Sequence, residues 1–263
     1  MGAPTGTAAA IVLAGGSGSR VGAAGNKVYL PVAGRPMIAW SLRAMVGAPG
    51  IGPVLLVARS EDREPVAELL GSEPGWADVE LVTGGSTRQA SELAGLRRLA
   101  DRIRDGRVDV VLIHDGARPM VSQALLAAVL GTAREVGGAV PGLPRDDLAP
   151  AGPDPAGPGT VLTGAPAAGL IAVQTPQGFR AGPLLAAYEE AERVGFVGTD
   201  TASCVQRFAP ALPIRALPGE GRNFKVTFPH DVTVAERVLG AGFAGSEPAS
   251  PLVKRGSGAA EHL

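Results

Sequence analysis

Cysteine is all but missing from this chain. Cys204 stands alone, which excludes an intramolecular disulfide and any cysteine-rich zinc site, and its surroundings, Ala202-Ser-Cys-Val-Gln206, read as a packed helix face rather than a nucleophile. A reducing, cytoplasmic compartment is the expectation. Aromatic residues make up only 4% of the chain and hydrophobic ones 45%, so the core has to be built from Val, Leu, Ile and Ala. Neither sign of charge is in excess: 24 Lys and Arg against 25 Asp and Glu leave a formal net charge of −1. No global field would gather nucleic acid or an anionic membrane, and any anion site must be local. Long hydrophobic runs are absent too. None approaches the roughly 20 residues that span a bilayer, and no basic stretch precedes the short Ala-rich segment near the start. The sequence therefore predicts a soluble protein with no nucleic-acid partner and no membrane partner.

Glycine and proline are plentiful, 38 and 23 among 263 residues, and they punctuate segments whose periodicity alternates between strand-like and helix-like. Strands are predicted over 8–13, 54–57, 79–82 and 108–113. Helices are predicted over 37–46 and 63–70, after the Gly84-Gly-Ser-Thr87 segment, and over 122–135. This alternation predicts an α/β fold with a mostly parallel sheet and helices on both faces. Ser86 or Thr87 and Ser122 are placed to cap helices by accepting from first-turn N–H groups. After 137–141 the pattern breaks. Residues 146–164 are dominated by Pro, Gly, Ala and Asp, a composition that predicts an inserted arm with too little apolar area to order itself. Regular structure resumes with a strand over 170–174, helices over 183–193 and 201–208, strands over 214–217 and 224–227, and a helix over 229–239. A frayed tail is expected beyond 240. One domain over 1–240, with the arm at about 143–170, is the reading.

The most informative stretch is Ala14-Gly-Gly-Ser-Gly-Ser-Arg20 with Lys27 behind it. An apolar strand stops at closely spaced glycines, where backbone N–H groups can approach phosphate oxygens, and two cations follow. Gly15, Gly16 and Gly18 provide the approach; Arg20 and Lys27 provide charge. Polar groups recur where other apolar strands end, which in an open α/β sheet is the ligand crevice. His114-Asp-Gly-Ala-Arg-Pro119 offers Asp115 for a hydroxyl and Arg118 for a phosphate, and reads equally well as an Asp turn followed by a helix arginine. His114 reads as a packed strand-end residue. Gly84-Gly-Ser-Thr-Arg-Gln-Ala-Ser91 brings Arg88 and Ser91, Gln174-Thr-Pro-Gln-Gly-Phe179 brings Thr175, and Asn223-Phe-Lys-Val-Thr227 brings Lys225 between apolar neighbours, where a charge is wasteful unless it points into a site.

In this order and spacing, AGGSGSR with Lys27, GGSTRQAS, HDGARP, QTPQGF and NFKVTFPHD resemble the cytidylyltransferases of the 2-C-methyl-D-erythritol 4-phosphate type, a family shared with ribitol-5-phosphate cytidylyltransferases. The resemblance runs from about residue 8 to 239. It implies a Rossmann-like nucleotidyltransferase fold with a projecting arm, a homodimer, CTP and a polyol phosphate as substrates, and Mg²⁺ held mainly by the CTP phosphates. By position, it implies that Arg20, Lys27 and Lys225 are the catalytic cations. The backbone from Ala14 to Gly18, with Gly84, Arg88 and Ser91, would receive the nucleotide, and Asp115, Arg118 and Thr175 would face the acceptor. The acceptor implied first is 2-C-methyl-D-erythritol 4-phosphate; ribitol 5-phosphate, another alditol phosphate or a phosphonate keeps the same chemistry, and a non-catalytic CTP-binding paralogue is the alternative of another class.

Two departures stand out. The family's usual Pro-Lys is Asn26-Lys27 here, which keeps the charge and predicts a looser loop. In the arm, an Arg-Asp-Thr segment becomes Arg145-Asp-Asp147, and Ala167 occupies the place of an arginine, so the arm is predicted to be a poor phosphate clamp.

Overall fold

The computed structural model describes residues 6–15, 25–154, 157, 159–165 and 169–244. The elements in chain order are β1 (Thr7–Leu13), a 3-10 turn (Lys27–Tyr29), the short pair β2 (Pro31–Val32) and β3 (Arg35–Pro36), α1 (Met37–Met45), β4 (Ile51–Ala58), α2 (Arg63–Gly71) and β5 (Glu80–Thr83). Next come α3 (Arg88–Arg104), β6 (Val108–Asp115), α4 (Gln123–Val136) and β7 (Gly138–Arg145). The chain continues through β8 (Ala151–Pro153), β9 (Thr160–Leu162), β10 (Leu170–Val173), β11 (Gln177–Arg180), α5 (Ala181–Arg193), α6 (Thr201–Phe208), β12 (Ile214–Pro218) and α7 (Pro229–Ala244).

The central strand β1 shows why three layers form. Its side chains alternate across the sheet: Ala8, Ala10 and Val12 join one core with Ile38, Leu42 and Leu126, while Ala9, Ile11 and Leu13 join the other with Leu96, Leu184 and Tyr188. A strand buried on both faces needs helices on both sides, which α1 and α4 supply on one face and α3 and α5 on the other. Among the described residues the main sheet runs β10-β7-β11-β6-β1-β4-β5, with β12 also on β7. Pairings β1–β4, β1–β6, β4–β5 and β12–β7 are parallel; β11 and β10 run antiparallel to their neighbours. Strand order reverses direction at β1, between β4 and β6, which opens a crevice at the carboxyl ends of these strands.

Caps fall where the sequence puts them. Thr87 accepts from Ala90 N to start α3 and Ser122 from Leu125 N to start α4.

Four expectations are corrected. Residues 138–145 form a strand in spite of Pro141 and Pro144: β7 is held by β11, β10 and β12, and the Pro141 carbonyl accepts from Gln174 N at 2.7 Å. Partners on both edges outweigh the missing donors. Residues 224–227 are not a strand. Among the described residues no strand pairs with them; Val226 N donates to the Ala117 carbonyl, and Thr227 and Phe228 N donate to Asp231 Oδ2. The described part of the arm is not without order, since β8 and β9 pair as an antiparallel hairpin. Finally, α7 runs on past residue 240 to Ala244; residues 245–263 lie outside the described residues. Among the described residues no helix is long and apolar enough to cross a membrane.

Candidate active site

A cleft opens at the carboxyl ends of β1, β5 and β6. Its described lining includes Gly15, Lys27, the segment from Gly85 to Arg88, Ser91, Asp115, Gly116 and Lys225. Three cations from distant stretches of sequence, Lys27, Arg88 and Lys225, thus face one space with a single carboxylate, Asp115, among them.

Asp115 is the hub of this charge cluster. Its side chain is only 8% exposed, and it receives Arg88 Nη1 at 2.5 Å on Oδ1 and Lys225 Nζ at 3.0 Å on Oδ2, with Arg118 Nε 3.6 Å away. Burial by itself would raise its carboxyl, but Arg88, Lys225 and Arg118 together overcome that and hold it well below the usual carboxylate range. It is an anion at any physiological pH. The residue that follows has to be glycine, because a Cβ on Gly116 would lie 2.8 Å from the Leu13 carbonyl and 2.9 Å from Ile38 Cδ1.

Lys27 and Lys225 both line the cleft. Lys27 is buried, and its ammonium donates to the Val226 carbonyl at 2.7 Å. Lys225, 38% exposed, owes its position to a segment pinned by Asn223, whose amide donates to the Thr175 carbonyl at 2.9 Å, and by Val226 N on Ala117. Arg88 lies on the first turn of α3 and bridges Asp115 to Glu92, whose Oε1 accepts from Arg88 Nε at 2.8 Å; Arg88 Nη2 has no hydrogen-bond partner among the described residues.

The smaller residues shape the floor. Ser91 Oγ accepts from Gly85 N at 3.1 Å and donates to the Thr87 carbonyl at 2.9 Å, so it folds the loop that carries Gly84 and Gly85 back over α3. A Cβ on Gly84 would meet that hydroxyl at 2.8 Å. Gly84 and Ala14 lie behind the lining: Gly84 N donates to the Ala58 carbonyl, Ala14 N to the Val57 carbonyl, and the Ala14 carbonyl accepts from Asn26. Gly16, Gly18 and Arg20 lie outside the described residues.

Thr175 and Arg118 stand one step further back. The Arg118 carbonyl can only accept, so the neutral His114 ring donates Nε2–H to it at 3.1 Å and its bare Nδ1 accepts from the Thr175 hydroxyl at 3.1 Å, while Thr175 Oγ1 accepts from Asp115 N at 3.0 Å. His114 is fully buried, and that burial pushes its pKa down to about 4; it is the neutral, packed residue the sequence predicts. Arg118 donates to the carbonyls of Asn223 at 2.7 Å and Val173 at 3.3 Å, and its Nε is buried with no hydrogen-bond partner among the described residues. Its guanidinium ties together the segments that carry Thr175 and Lys225 and does not line the cleft.

Two sets of residues carry no mark in the sequence reading. Glu92 is 1% exposed and receives Arg88, the Thr201 hydroxyl at 3.1 Å and the Tyr188 hydroxyl; burial raises its carboxyl. Its spacing of four from Arg88 on one helix face is the signal that could have found it. The second set surrounds Asn26. Far from loosening the loop, Asn26 caps the 3-10 turn through Val28 N and donates to both the Ala14 carbonyl and Asp62. In the arm, Asp147 holds Arg145 in a two-point ion pair, at 2.5 and 2.8 Å; Ala167 lies outside the described residues.

These features can be set beside known proteins. The family model for 2-C-methyl-D-erythritol 4-phosphate cytidylyltransferase matches residues 8–241. The protein of that name from Prochlorococcus marinus is 40% identical, covering 87% of this chain and 96% of its own. That from Bacillus velezensis is 36% identical over 88% and 95%. Among solved structures, 2-C-methyl-D-erythritol 4-phosphate cytidylyltransferase from Thermus thermophilus matches with a TM-score of 0.63 at 32% identity, over 87% and 97% of the two chains. The 4-diphosphocytidyl-2C-methyl-D-erythritol synthase from Anaerococcus prevotii matches with a TM-score of 0.74 at 26% identity, over 89% and 96%. With this coverage, and with the crevice and its cations in the arrangement described, the chain belongs to the 2-C-methyl-D-erythritol 4-phosphate cytidylyltransferase family.

Proposed function

We propose that this protein transfers the cytidylyl group of CTP to the phosphate of 2-C-methyl-D-erythritol 4-phosphate, with release of pyrophosphate, as a step in isoprenoid precursor synthesis. The observation that carries the reading is the cleft itself, where Arg88 and Lys225 meet on Asp115 and Lys27 lines the same space. Three cations against one anion favour a ligand with several negative charges, and a triphosphate beside a phosphomonoester has them.

The chemistry asks little of acids or bases. A phosphomonoester has a second pKa of about 6, so the acceptor's phosphate is already a dianionic nucleophile at neutral pH. Placement in line with the α-phosphorus and neutralisation of charge as pyrophosphate leaves are what remain. Lys27 fits the leaving-group side, a role the resemblance assigns to Arg20 as well, and Lys225 fits the junction of α-phosphate and acceptor. Gly15, the loop from Gly84 to Thr87, Arg88 and Ser91 form the nucleotide's side of the cleft. Asp115, with Thr175 behind it and Arg118 bracing the walls, forms the acceptor's side.

The donor set fits a magnesium ion brought by the triphosphate. No group of three or more metal-ligating side chains occurs among the described residues, and the Asp115 oxygens are taken by Arg88 and Lys225. When bound, such an ion would offset charge on the departing pyrophosphate. The cytoplasm, where CTP is made, is the compartment consistent with a single buried thiol.

Pyrophosphate release should be seen with CTP and methylerythritol 4-phosphate, and should fall sharply when ATP or GTP replaces CTP. Ribitol 5-phosphate and other alditol phosphates belong in the same panel. Equal release from ATP would remove the cytidylyl reading, and release only with ribitol 5-phosphate would move the acceptor.

A homodimer is part of the proposal. Leu162 on the arm strand β9 and Leu170, Ile171 and Val173 on β10, at the edge of the main sheet, leave apolar side chains exposed, Leu162 by 75%. Light scattering at micromolar concentration should give twice the chain mass, and L162E combined with I171E should halve it. A wild type that stays monomeric and fully active would count against this assembly.

A further inference from the structure

We propose that Asp62 is a positioning residue for Lys27, acting through Asn26. The inference rests on the reading of Lys27 as a catalytic cation. Asn26 immediately precedes Lys27 and is 6% exposed, a place where an amide is costly unless its hydrogen bonds are made. They are made in a directed way. Its Oδ1 accepts from Val28 N at 3.3 Å, fixing the turn that carries Lys27, and its Nδ2 donates to the Ala14 carbonyl at the end of β1 and to Asp62 Oδ2 at 2.8 Å. Asp62, 5% exposed, is itself clamped: Arg59 Nε meets Oδ2 at 2.9 Å and Nη2 meets Oδ1 at 2.6 Å.

The path Arg59–Asp62–Asn26 therefore ends on the two backbone elements that bound the cleft on this side. Burial raises the Asp62 carboxyl, and the hydrogen bonds from Arg59 and Asn26 outweigh it, so the group is ionised and accepts both donors at neutral pH. The lever is long. Lys27 reaches from this turn to the Val226 carbonyl at 2.7 Å, so a small rotation of the turn is carried along the whole side chain to the ammonium. A proline would stiffen the turn without a hydrogen bond, and Asn26 already has φ −72° and ψ 118°, which proline accommodates. The Asn26 amide and the Asp62 carboxylate thus supply by hydrogen bonding a restraint that a ring could supply covalently.

The test uses the full chain, with steady-state pyrophosphate release and thermal unfolding measured on the same samples. N26A and D62A should each lower kcat about tenfold or more while leaving KM for CTP within about threefold, the pattern of a misplaced group that acts in the transition state. Because both act on one path, N26A/D62A should turn over no more slowly than the worse single variant. N26P should recover most of the lost turnover, and D62A added to N26P should cost none further, even though the Arg59 pair is broken and the melting temperature falls. If D62A slows the N26P enzyme as much as it slows wild type, or if N26A and D62A shift only the melting temperature, the proposal is overturned. K27A separates the two readings: its normal turnover would sink the assignment of Lys27 itself, whereas a slow K27A beside fast N26A and D62A would sink only the relay.

Discussion

Replacing Lys27 or Lys225 by alanine is expected to lower turnover at least ~10²-fold, the scale of losing one preorganised donor to developing charge. The fold should survive. Lys27 is buried but donates to a main-chain carbonyl, and Lys225 is more than a third exposed, so neither truncation opens a cavity in the aliphatic cores. In the proposed reading, charge building on the departing pyrophosphate would lose the Lys27 side chain that lines the cleft. Lys225→Ala carries a second consequence, since it also removes one of the two cations within 3.0 Å of Asp115. Its loss should therefore appear in acceptor KM as well as kcat. Pre-steady-state pyrophosphate release on folded protein, checked by circular dichroism, measures both. Either variant turning over near the wild-type rate would falsify its role as a catalytic cation.

Asp115→Asn is expected to destabilise the protein and weaken substrate binding together. The substitution keeps the volume and removes the charge that Arg88, Lys225 and Arg118 share. Removing one partner of a buried ionic cluster costs about 3–5 kcal/mol. Arg88 and Lys225 are 31% and 38% exposed, and solvent screening brings the expected loss nearer ~2 kcal/mol, or a fall of about 4–8 °C in melting temperature. The sign with pH follows. Asp115 is held below its unfolded value, so its stabilisation is full at neutral pH and is lost as the pH falls below the ordinary carboxylate value of about 4. The gap between wild type and D115N in urea titrations should accordingly narrow from pH 7 to pH 3, as the pH moves towards the depressed folded value. A constant gap between them would mean that the charge of Asp115 is not what stabilises the cluster.

Much of the site is legible without coordinates, because the residues concerned carry chemistry that strands and helices do not need. Gly15, Lys27, Arg88, Asp115 and Lys225 each stand out on local grounds, and the cleft brings all five together. Arg118 and Thr175 are legible as polar groups near the site, but not as supports. The side they face depends on Asn223 and Val173 for one and on His114 for the other, partners 55 to 105 residues apart in the chain for Arg118. Asn26 misleads for the same reason. Seen beside its neighbours in sequence it is a flexible replacement for a ring; its rigidity comes from Asp62, 36 residues on.

What the sequence determined by itself was what local periodicity and residue type govern: the alternation of elements and the capping by Thr87 and Ser122. These depend on contacts within a few residues or on burial that hydrophobic pattern reveals. The tertiary structure alone decided which strands pair, that 138–145 is a strand and 224–227 is not, and which polar residue faces the cleft or braces it. Strand pairing is a long-range choice. Residues 138–145 carry two prolines and still form β7 because β10, β11 and β12 arrive to bond them, whereas 224–227 is held by Ala117, Lys27 and Asp231 and, among the described residues, by no strand. A backbone group's partner is fixed by what folds beside it, and that information is distributed over the whole chain.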